Sequence, residues 1–195
     1  MSSPKACFLK ALHADSTNAH AWRDLGAVGG GNVGGTVYCK KGCYIKALEA
    51  HDAFPMVWCF LGSLGGGTVR GIAYDKKACY VKAIEVGQGG YAEAWFFLGT
   101  EGGGTVGGVV FDKKECHVKA LETDQWFVYA WIELGLEGGG TVGSTLFDKK
   151  ACFVKAISLD AGNILAWSNV ASLGGAVIAG KPYSVLKCLA LAKKA

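Results

Sequence analysis

A tryptophan recurs along this 195-residue chain at an almost constant interval of 36 or 37 residues. The five positions are Trp22, Trp58, Trp95, Trp131 and Trp167. Six cysteines keep the same step, at Cys7, Cys43, Cys79, Cys116, Cys152 and Cys188, and a glycine cluster lies between each tryptophan and the next of these cysteines. Because three residue types recur together, the chain is predicted to be an array of similar repeats, each packing against its neighbours.

Each repeat is predicted to contain two short helices. In the first helix, apolar residues fall three or four positions apart, as in Tyr91, Ala94, Trp95 and Leu98, and therefore form one stripe. The second helix follows an aromatic residue and a capping residue, as at Tyr74-Asp75. Glycine clusters end the first helices and are predicted to form loops. On this pattern the chain begins and ends in a second helix, with six second helices and five first helices.

The pattern resembles the tetratricopeptide repeat over almost the whole chain. The family's Trp-x-x-Leu-Gly motif is matched by residues 22–26, 58–62, 95–99 and 131–135, and its Lys-Ala-Leu by residues 46–48 and 119–121. The period is longer than the family's 34 residues, and lysine replaces the small alanine expected early in the second helix. The resemblance implies an all-α fold, a right-handed α-solenoid of stacked helix-turn-helix repeats, with residues 1–195 forming one domain of five to six repeats.

The resemblance also implies a binding surface. In tetratricopeptide-like solenoids the first helices line a concave face on which polypeptide partners bind. When the repeats are aligned, equivalent positions form columns. In the columns that correspond to this concave face the middle repeats carry apolar residues, and apolar patches of this kind mark interaction surfaces. The predicted partner-binding residues are Met56, Phe96, Tyr129, Ile132 and Leu136. Alternatively, this wall folds inward or is covered by a second copy. The lysine and asparagine residues with which some members clamp a terminal carboxylate are missing from the middle repeats.

The helices at the two ends of the array are more apolar than a capping helix would be. Residues Phe8 and Leu12 lie in the first, and Leu186 and Leu189 in the last. Either the array continues beyond this sequence or these helices contact other copies of the chain, and an end-to-end contact that does not close generates a fibre. Self-association through these four residues is therefore the second prediction.

Catalytic and cofactor motifs are weak. The sequence Gly102-x-Gly104-x-x-Gly107 matches the dinucleotide fingerprint, but it follows a predicted helix and not a strand. Equivalent cysteines in neighbouring repeats are expected about 10 Å apart, too far for disulfides, and Cys39-x-x-x-Cys43 has no second pair to complete a zinc site. Residue His117 replaces an aromatic residue of other repeats and is predicted to be a core ring. No enzyme activity, cofactor or metal is expected.

Composition limits the remaining possibilities. Apolar residues make up 51% of the chain and charged residues 18%, which excludes intrinsic disorder. The net charge of +4 is too small to indicate a nucleic-acid groove. No apolar run of about 18 residues and no signal-peptide pattern is found, so no membrane association is expected and the cytoplasm is the default compartment. The predicted function is a non-enzymatic scaffold or adaptor for a protein or peptide partner, and the alternative is a structural subunit that assembles into a fibre.

Overall fold

The computed structural model describes residues 3–193. Within them, pairs of helices alternate with two-stranded antiparallel hairpins. The second helices of the repeats are α1 (Pro4–Ala14), α3 (Lys40–Ala50), α5 (Lys76–Val86), α7 (Lys113–Thr123), α9 (Lys149–Leu159) and α11 (Val185–Ala192). The first helices are α2 (Ala19–Ala27), α4 (Pro55–Ser63), α6 (Ala92–Thr100), α8 (Val128–Leu136) and α10 (Ile164–Ser172). The predicted alternation of first and second helices is thus confirmed for residues 3–193.

Each glycine-rich segment forms a β-hairpin, so the predicted all-α solenoid of helix-turn-helix repeats is wrong. The hairpins are β1 (Gly30–Val33) with β2 (Thr36–Cys39), β3 (Gly67–Val69) with β4 (Ile72–Tyr74), β5 (Gly104–Val106) with β6 (Val109–Phe111), β7 (Gly139–Val142) with β8 (Thr145–Asp148), and β9 (Ala176–Ile178) with β10 (Lys181–Tyr183). The repeat of this chain therefore consists of a helix, a hairpin and a helix.

Two-residue turns explain why these segments pair as strands. At the tip of the first hairpin, Gly34 and Gly35 both have positive φ, and Arg70 and Gly71 do so in the second. Positive φ at both turn residues is the geometry that suits the twist of a two-residue hairpin. At the base of the hairpin, a Cβ atom on Gly66 would collide with the carbonyl oxygen of Tyr74. Glycine there lets the two strands approach each other closely.

The second helices begin where the sequence predicts. The side chains of Asp75, Asp112 and Asp148 accept hydrogen bonds from the backbone N–H groups of Ala78, Glu115 and Ala151. Around Asp112 the Glu115 side chain also accepts a bond from the cap N–H, which completes a capping box. In α3 the Sγ atom of Cys39 takes the same place as the aspartate. Capping therefore fixes where each hairpin ends and its helix begins.

The repeat tryptophans lie in the core, as predicted, with exposures between 1 and 5%. Each indole Nε1–H donates a hydrogen bond to a backbone carbonyl six residues earlier: Trp22 to Ser16, Trp58 to Asp52, Trp95 to Gly89, Trp131 to Gln125 and Trp167 to Ala161. The ring of Trp58 also lies edge-on against Tyr74 of the following hairpin, with centroids 4.7 Å apart. One side chain thus links the loop before a first helix to the hairpin after it.

The described residues divide into two compact units, one up to Val110 and the other from Phe111. They are called here the N-terminal and C-terminal units, and the predicted single domain over residues 1–195 stays a prediction. All eight cysteines are free thiols, as the repeat spacing predicts. Most are buried, but Cys7 and Cys39 are exposed. The residue Cys59, which does not belong to the series of six regularly spaced cysteines, is also buried.

Candidate functional site

In the N-terminal unit, the outward side of α4 borders a small apolar pocket. The pocket has a volume of about 250 Å³ and almost entirely apolar walls. Its lining residues are Arg23, Phe54, Pro55, Met56, Val57 and Tyr91. Two of the predicted binding residues belong to this unit. The side chain of Met56 is 37% exposed and lines the pocket, and Phe96 on α6 is half-buried and does not line it. The side chain of Met56 is therefore accessible beside an opening that could receive one apolar side chain.

In the C-terminal unit, the apolar surface lies on α8 and α10. The side chain of Tyr129 is 60% exposed and that of Leu136 is 45% exposed. On α10, Ile164 and Leu165 are 45% and 49% exposed. The third residue predicted here, Ile132, is 1% exposed and belongs to the core. We refer to Tyr129, Leu136, Ile164 and Leu165 as the α8/α10 surface.

Trp126 lies in the loop before α8 and is not among the residues that the repeat pattern predicts to bind a partner. Its side chain is 67% exposed, and the ammonium of Lys155 lies 5.9 Å from the centroid of its ring. The neighbouring residues Asp124, Gln125 and Val142 line an open depression beside it. A signal for this residue was present in the sequence, because Trp126 is the one tryptophan out of step with the repeat. An exposed tryptophan is a frequent energetic centre of protein interfaces.

The residues predicted for self-association differ in accessibility. In α1, Leu12 is 1% exposed and Phe8 is half-buried, so this helix offers little apolar surface at those positions. In α11, Leu186 is 81% exposed and Leu189 is 41% exposed. Among the four predicted residues, the apolar surface is therefore concentrated on α11.

A polar cluster lies between α7 and α8 in the C-terminal unit, and it replaces an aromatic pair of earlier repeats. In those repeats Tyr44 lies against Phe60 and Tyr80 against Phe97, with ring centroids 5.3 Å and 5.4 Å apart. The corresponding residues here are His117 and Glu133. As predicted for a core ring, His117 is fully buried. The sequence signal missed was the simultaneous change of its partner column from phenylalanine to glutamate.

Two further residues complete this cluster. The Nδ1 atom of His117 lies 3.1 Å from Oε1 of Glu137, which follows α8. The Nζ atom of Lys113 lies 3.2 Å from a carboxylate oxygen of Glu133 and 3.2 Å from one of Glu137. The ligand atoms that His117, Glu133 and Glu137 offer all lie within 4.8 Å of one another. Among the described residues, no other group of this kind is found.

Burial and neighbouring charges shift the pKa values of His117 and Lys113. Burial lowers the pKa of His117, and the negative charges of Glu137 and Glu133 only partly oppose this effect, so its imidazole is neutral at pH 7. Burial also acts to lower the pKa of Lys113, but hydrogen bonds to Glu137 and Glu133 outweigh it and raise the pKa. The cluster therefore contains two carboxylates, one ammonium and a neutral imidazole.

The fold and these surfaces define a repeat protein built from helix, hairpin and helix, with accessible apolar side chains on its first helices. Comparisons with protein-family models and with curated proteins find no match. Among the described helices, none is both long enough and apolar enough to cross a membrane.

Proposed function

We propose that this protein is a non-enzymatic scaffold or adaptor that binds a polypeptide partner through its first helices. The observation that carries the proposal is the exposure of four apolar side chains on the first helices α8 and α10, of which Tyr129, at 60%, is the most exposed. Aromatic residues with an accessible apolar body and a polar tip are enriched at protein interfaces. The tetratricopeptide-like spacing of these helices supports the same function.

The partner proposed is a peptide segment that carries apolar anchor residues. The Met56 pocket favours such a segment, because its walls are apolar and its volume suits one side chain. On the C-terminal unit, the exposed ring of Trp126 offers flat apolar area beside the ammonium of Lys155. An anchor with an adjacent acidic residue would contact both features. A nucleic acid is not proposed, since the net charge of +4 is small.

Selection from a random peptide library on the purified protein tests this function. We expect enriched peptides to share apolar anchors. Tyr129→Ala and Leu165→Ala should each weaken the binding of a synthetic enriched peptide by about tenfold or more, as expected for an interface centre. Leu146→Ala is the matched control, because Leu146 is 77% exposed but lies on hairpin strand β8. The proposed surface is wrong if no peptide is enriched, or if Tyr129→Ala still binds the peptide while Leu146→Ala does not.

The second candidate function is a structural subunit that assembles with itself. It is favoured by α11, where Leu186 is 81% exposed next to the partly exposed Val185 and Leu189. Sedimentation velocity over a wide concentration range should then show oligomers that disappear in Leu186→Lys/Leu189→Lys. The same lysine placed at Leu146 should leave them intact. A monomer at every concentration would remove this candidate and leave the adaptor.

The compartment proposed is the cytoplasm. Eight free thiols, two of them exposed, support it because thiols persist in a reducing compartment. Expression of a tagged full-length chain, followed by trapping of its thiols with an alkylating reagent, tests this proposal. Recovery of Cys7 and Cys39 in oxidised form would contradict it.

A further inference from the structure

The repeats supply an internal reference for the cluster of His117, Glu133 and Glu137. In the repeat before it, the equivalent positions are Tyr80, Phe97 and Glu101, and the ion pair of Lys76 with Glu101 matches that of Lys113 with Glu137. Two aromatic rings have therefore been replaced together by an imidazole and a carboxylate. The lysine and the second glutamate around them are unchanged.

This replacement puts polar groups where the preceding repeat has an aromatic pair. The imidazole of His117 is fully buried, and the side chain of Glu137 is 15% exposed. Burying polar and charged groups is unfavourable unless they are paired or coordinate a metal. The ammonium of Lys113 pairs with both carboxylates when no metal is bound. What distinguishes this repeat is therefore a convergent set of one imidazole and two carboxylates.

We propose that His117, Glu133 and Glu137 form a binding site for one divalent transition-metal ion. The separation of 3.1 Å between Nδ1 of His117 and Oε1 of Glu137 is that of two neighbouring ligands on one ion. Atoms that are each bound at about 2.0–2.2 Å lie about 3.0–3.5 Å apart. Because the third ligand atom lies within 4.8 Å of the others, small side-chain movements bring all three onto one centre.

The donor set determines the class of ion. One imidazole nitrogen with two carboxylates suits Zn²⁺, Fe²⁺, Co²⁺ or Mn²⁺, whereas Mg²⁺ and Ca²⁺ prefer oxygen ligands alone. The Oε2 atom of Glu137 is buried and makes no hydrogen bond to any described residue. It is therefore a second ligand atom that this carboxylate offers, while coordination at Nδ1 of His117 replaces the hydrogen bond between Nδ1 and Oε1.

The ammonium of Lys113 acts as the counter-ion when no metal is bound. Its Nζ atom contacts both carboxylates, while its side chain is 44% exposed. One ammonium leaves one of the two negative charges uncompensated, whereas a divalent ion balances both. Because Lys113 is half in solvent, its ammonium can move into water when the ion binds. Lysine and metal therefore compete for the same two carboxylates.

Titration of the full-length chain with Co²⁺ and Zn²⁺ tests the site. To exclude thiol ligands, Cys7→Ser/Cys39→Ser serves as the background. We expect one equivalent of Co²⁺ to bind, with visible bands of nitrogen and oxygen ligation and without sulfur-to-cobalt charge transfer. His117→Tyr/Glu133→Phe, which restores the residues of the preceding repeat, should weaken binding by more than about 100-fold, since loss of even a supporting partner costs about 10–100-fold.

Two further variants keep the test decisive. If the double variant fails to fold, Glu137→Gln removes a ligand while keeping the side-chain shape and should also weaken binding. Lys113→Met removes the competing ammonium and should strengthen binding, which a merely structural ion-pair network would not show. The proposal is overturned if the background protein binds no metal, if binding is unchanged in Glu137→Gln or the folded double variant, or if Lys113→Met weakens it.

Discussion

The ring of Tyr44 occupies the space next to Gly26: a Cβ atom on that glycine would lie 2.6 Å from Cε1 of the tyrosine. Gly26 is the glycine of the Trp-x-x-Leu-Gly motif in its repeat. Gly26→Ala should therefore lower the free energy of unfolding by about 1–3 kcal/mol, the range for an overpacked core. This loss opposes the gain of up to about 1 kcal/mol that alanine usually brings to a helix. Urea denaturation of the two proteins measures the difference.

The last repeat supplies the matched control for this prediction. There the motif glycine is Ala171, and the aromatic column carries Leu189. We therefore expect Tyr44→Leu to relieve the clash, so that adding Gly26→Ala to Tyr44→Leu costs less than adding it to the unmodified chain. Additive losses in the double-mutant cycle would show that the ring and the glycine are not coupled.

Replacing a repeat tryptophan by phenylalanine removes its hydrogen bond and reduces the size of its ring. In Trp58→Phe the bond from Nε1–H to the carbonyl oxygen of Asp52, 2.7 Å long, is lost. Together with the smaller ring, this loss should lower the free energy of unfolding by about 1–3 kcal/mol. Trp126→Phe is the control and should change it by less than about 0.5 kcal/mol, since Trp126 is 67% exposed. Equal effects at both positions, measured by thermal and urea denaturation, would contradict the prediction.

The tip of the last hairpin carries backbone strain that glycine should remove. Ala179 has φ of 49°, and glycine stands at the equivalent positions Gly34, Gly107 and Gly143. Left-handed backbone costs an ordinary residue about 1–2 kcal/mol, whereas glycine loses about 0.5–1 kcal/mol more entropy on ordering. Ala179→Gly should therefore raise the free energy of unfolding by about 0.5–1 kcal/mol. A decrease in urea denaturation would show that the turn is not strained.

Arg70 is the control for that prediction. It has φ of 48° at the equivalent turn position, but its guanidinium bonds the Glu49 carbonyl and lies 2.9 Å from a carboxylate oxygen of Asp52. Arg70→Gly relieves the same strain and loses these contacts. It should therefore stabilise the protein less than Ala179→Gly does.

Thiol reactivity should follow burial. Burial raises the pKa of Cys43 to about 11 and that of Cys79 to about 12, so almost no thiolate forms at these residues at pH 8. At that pH we expect rapid alkylation of two thiols only, Cys7 and Cys39, which are exposed. The other six thiols should react slowly, at a rate limited by opening or unfolding of the protein. Peptide mass spectrometry after timed labelling measures this, and rapid labelling of Cys79 would contradict the described packing.

Local sequence signals were sufficient for the helices but not for the hairpins. The spacing of apolar residues three or four positions apart predicts the first helices, and the capping aspartates predict the starts of α5, α7 and α9. Both predictions are correct because both signals act within one or two helical turns. The glycine clusters predict loops because consecutive glycines destabilise a helix interior and permit the positive φ of a helix C-terminal cap. The opposing signal was present in Thr68-Val69 and Ile72, which flank the two turn residues Arg70 and Gly71. Pairing between them depends on the turn, which composition alone does not show.

The candidate sites were predictable only in part. Column positions placed Tyr129 and Leu136 on the accessible side of α8, but the same reasoning placed the buried residue Ile132 there. Exposure depends on the tilt of the helix against its neighbours, and a sequence column does not determine that tilt. The cluster around His117 required knowing that Glu133 and Glu137 come from the next helix and face it. Such long-range contacts follow from packing and not from spacing.

The tryptophan hydrogen bonds span a segment of constant length in each repeat, called here the bonded frame, and the residues between it and the preceding second helix, called here the joint, vary in number. The acceptor carbonyl lies six residues before the tryptophan in every case, including Trp95 with Gly89. Between α5 and Gly89, however, two residues stand where the other repeats have one. The inserted residue therefore lies ahead of the bonded frame, at Gly87 and Gln88. This joint is where whole repeats could be excised, duplicated or exchanged between chains without altering the geometry inside any of them.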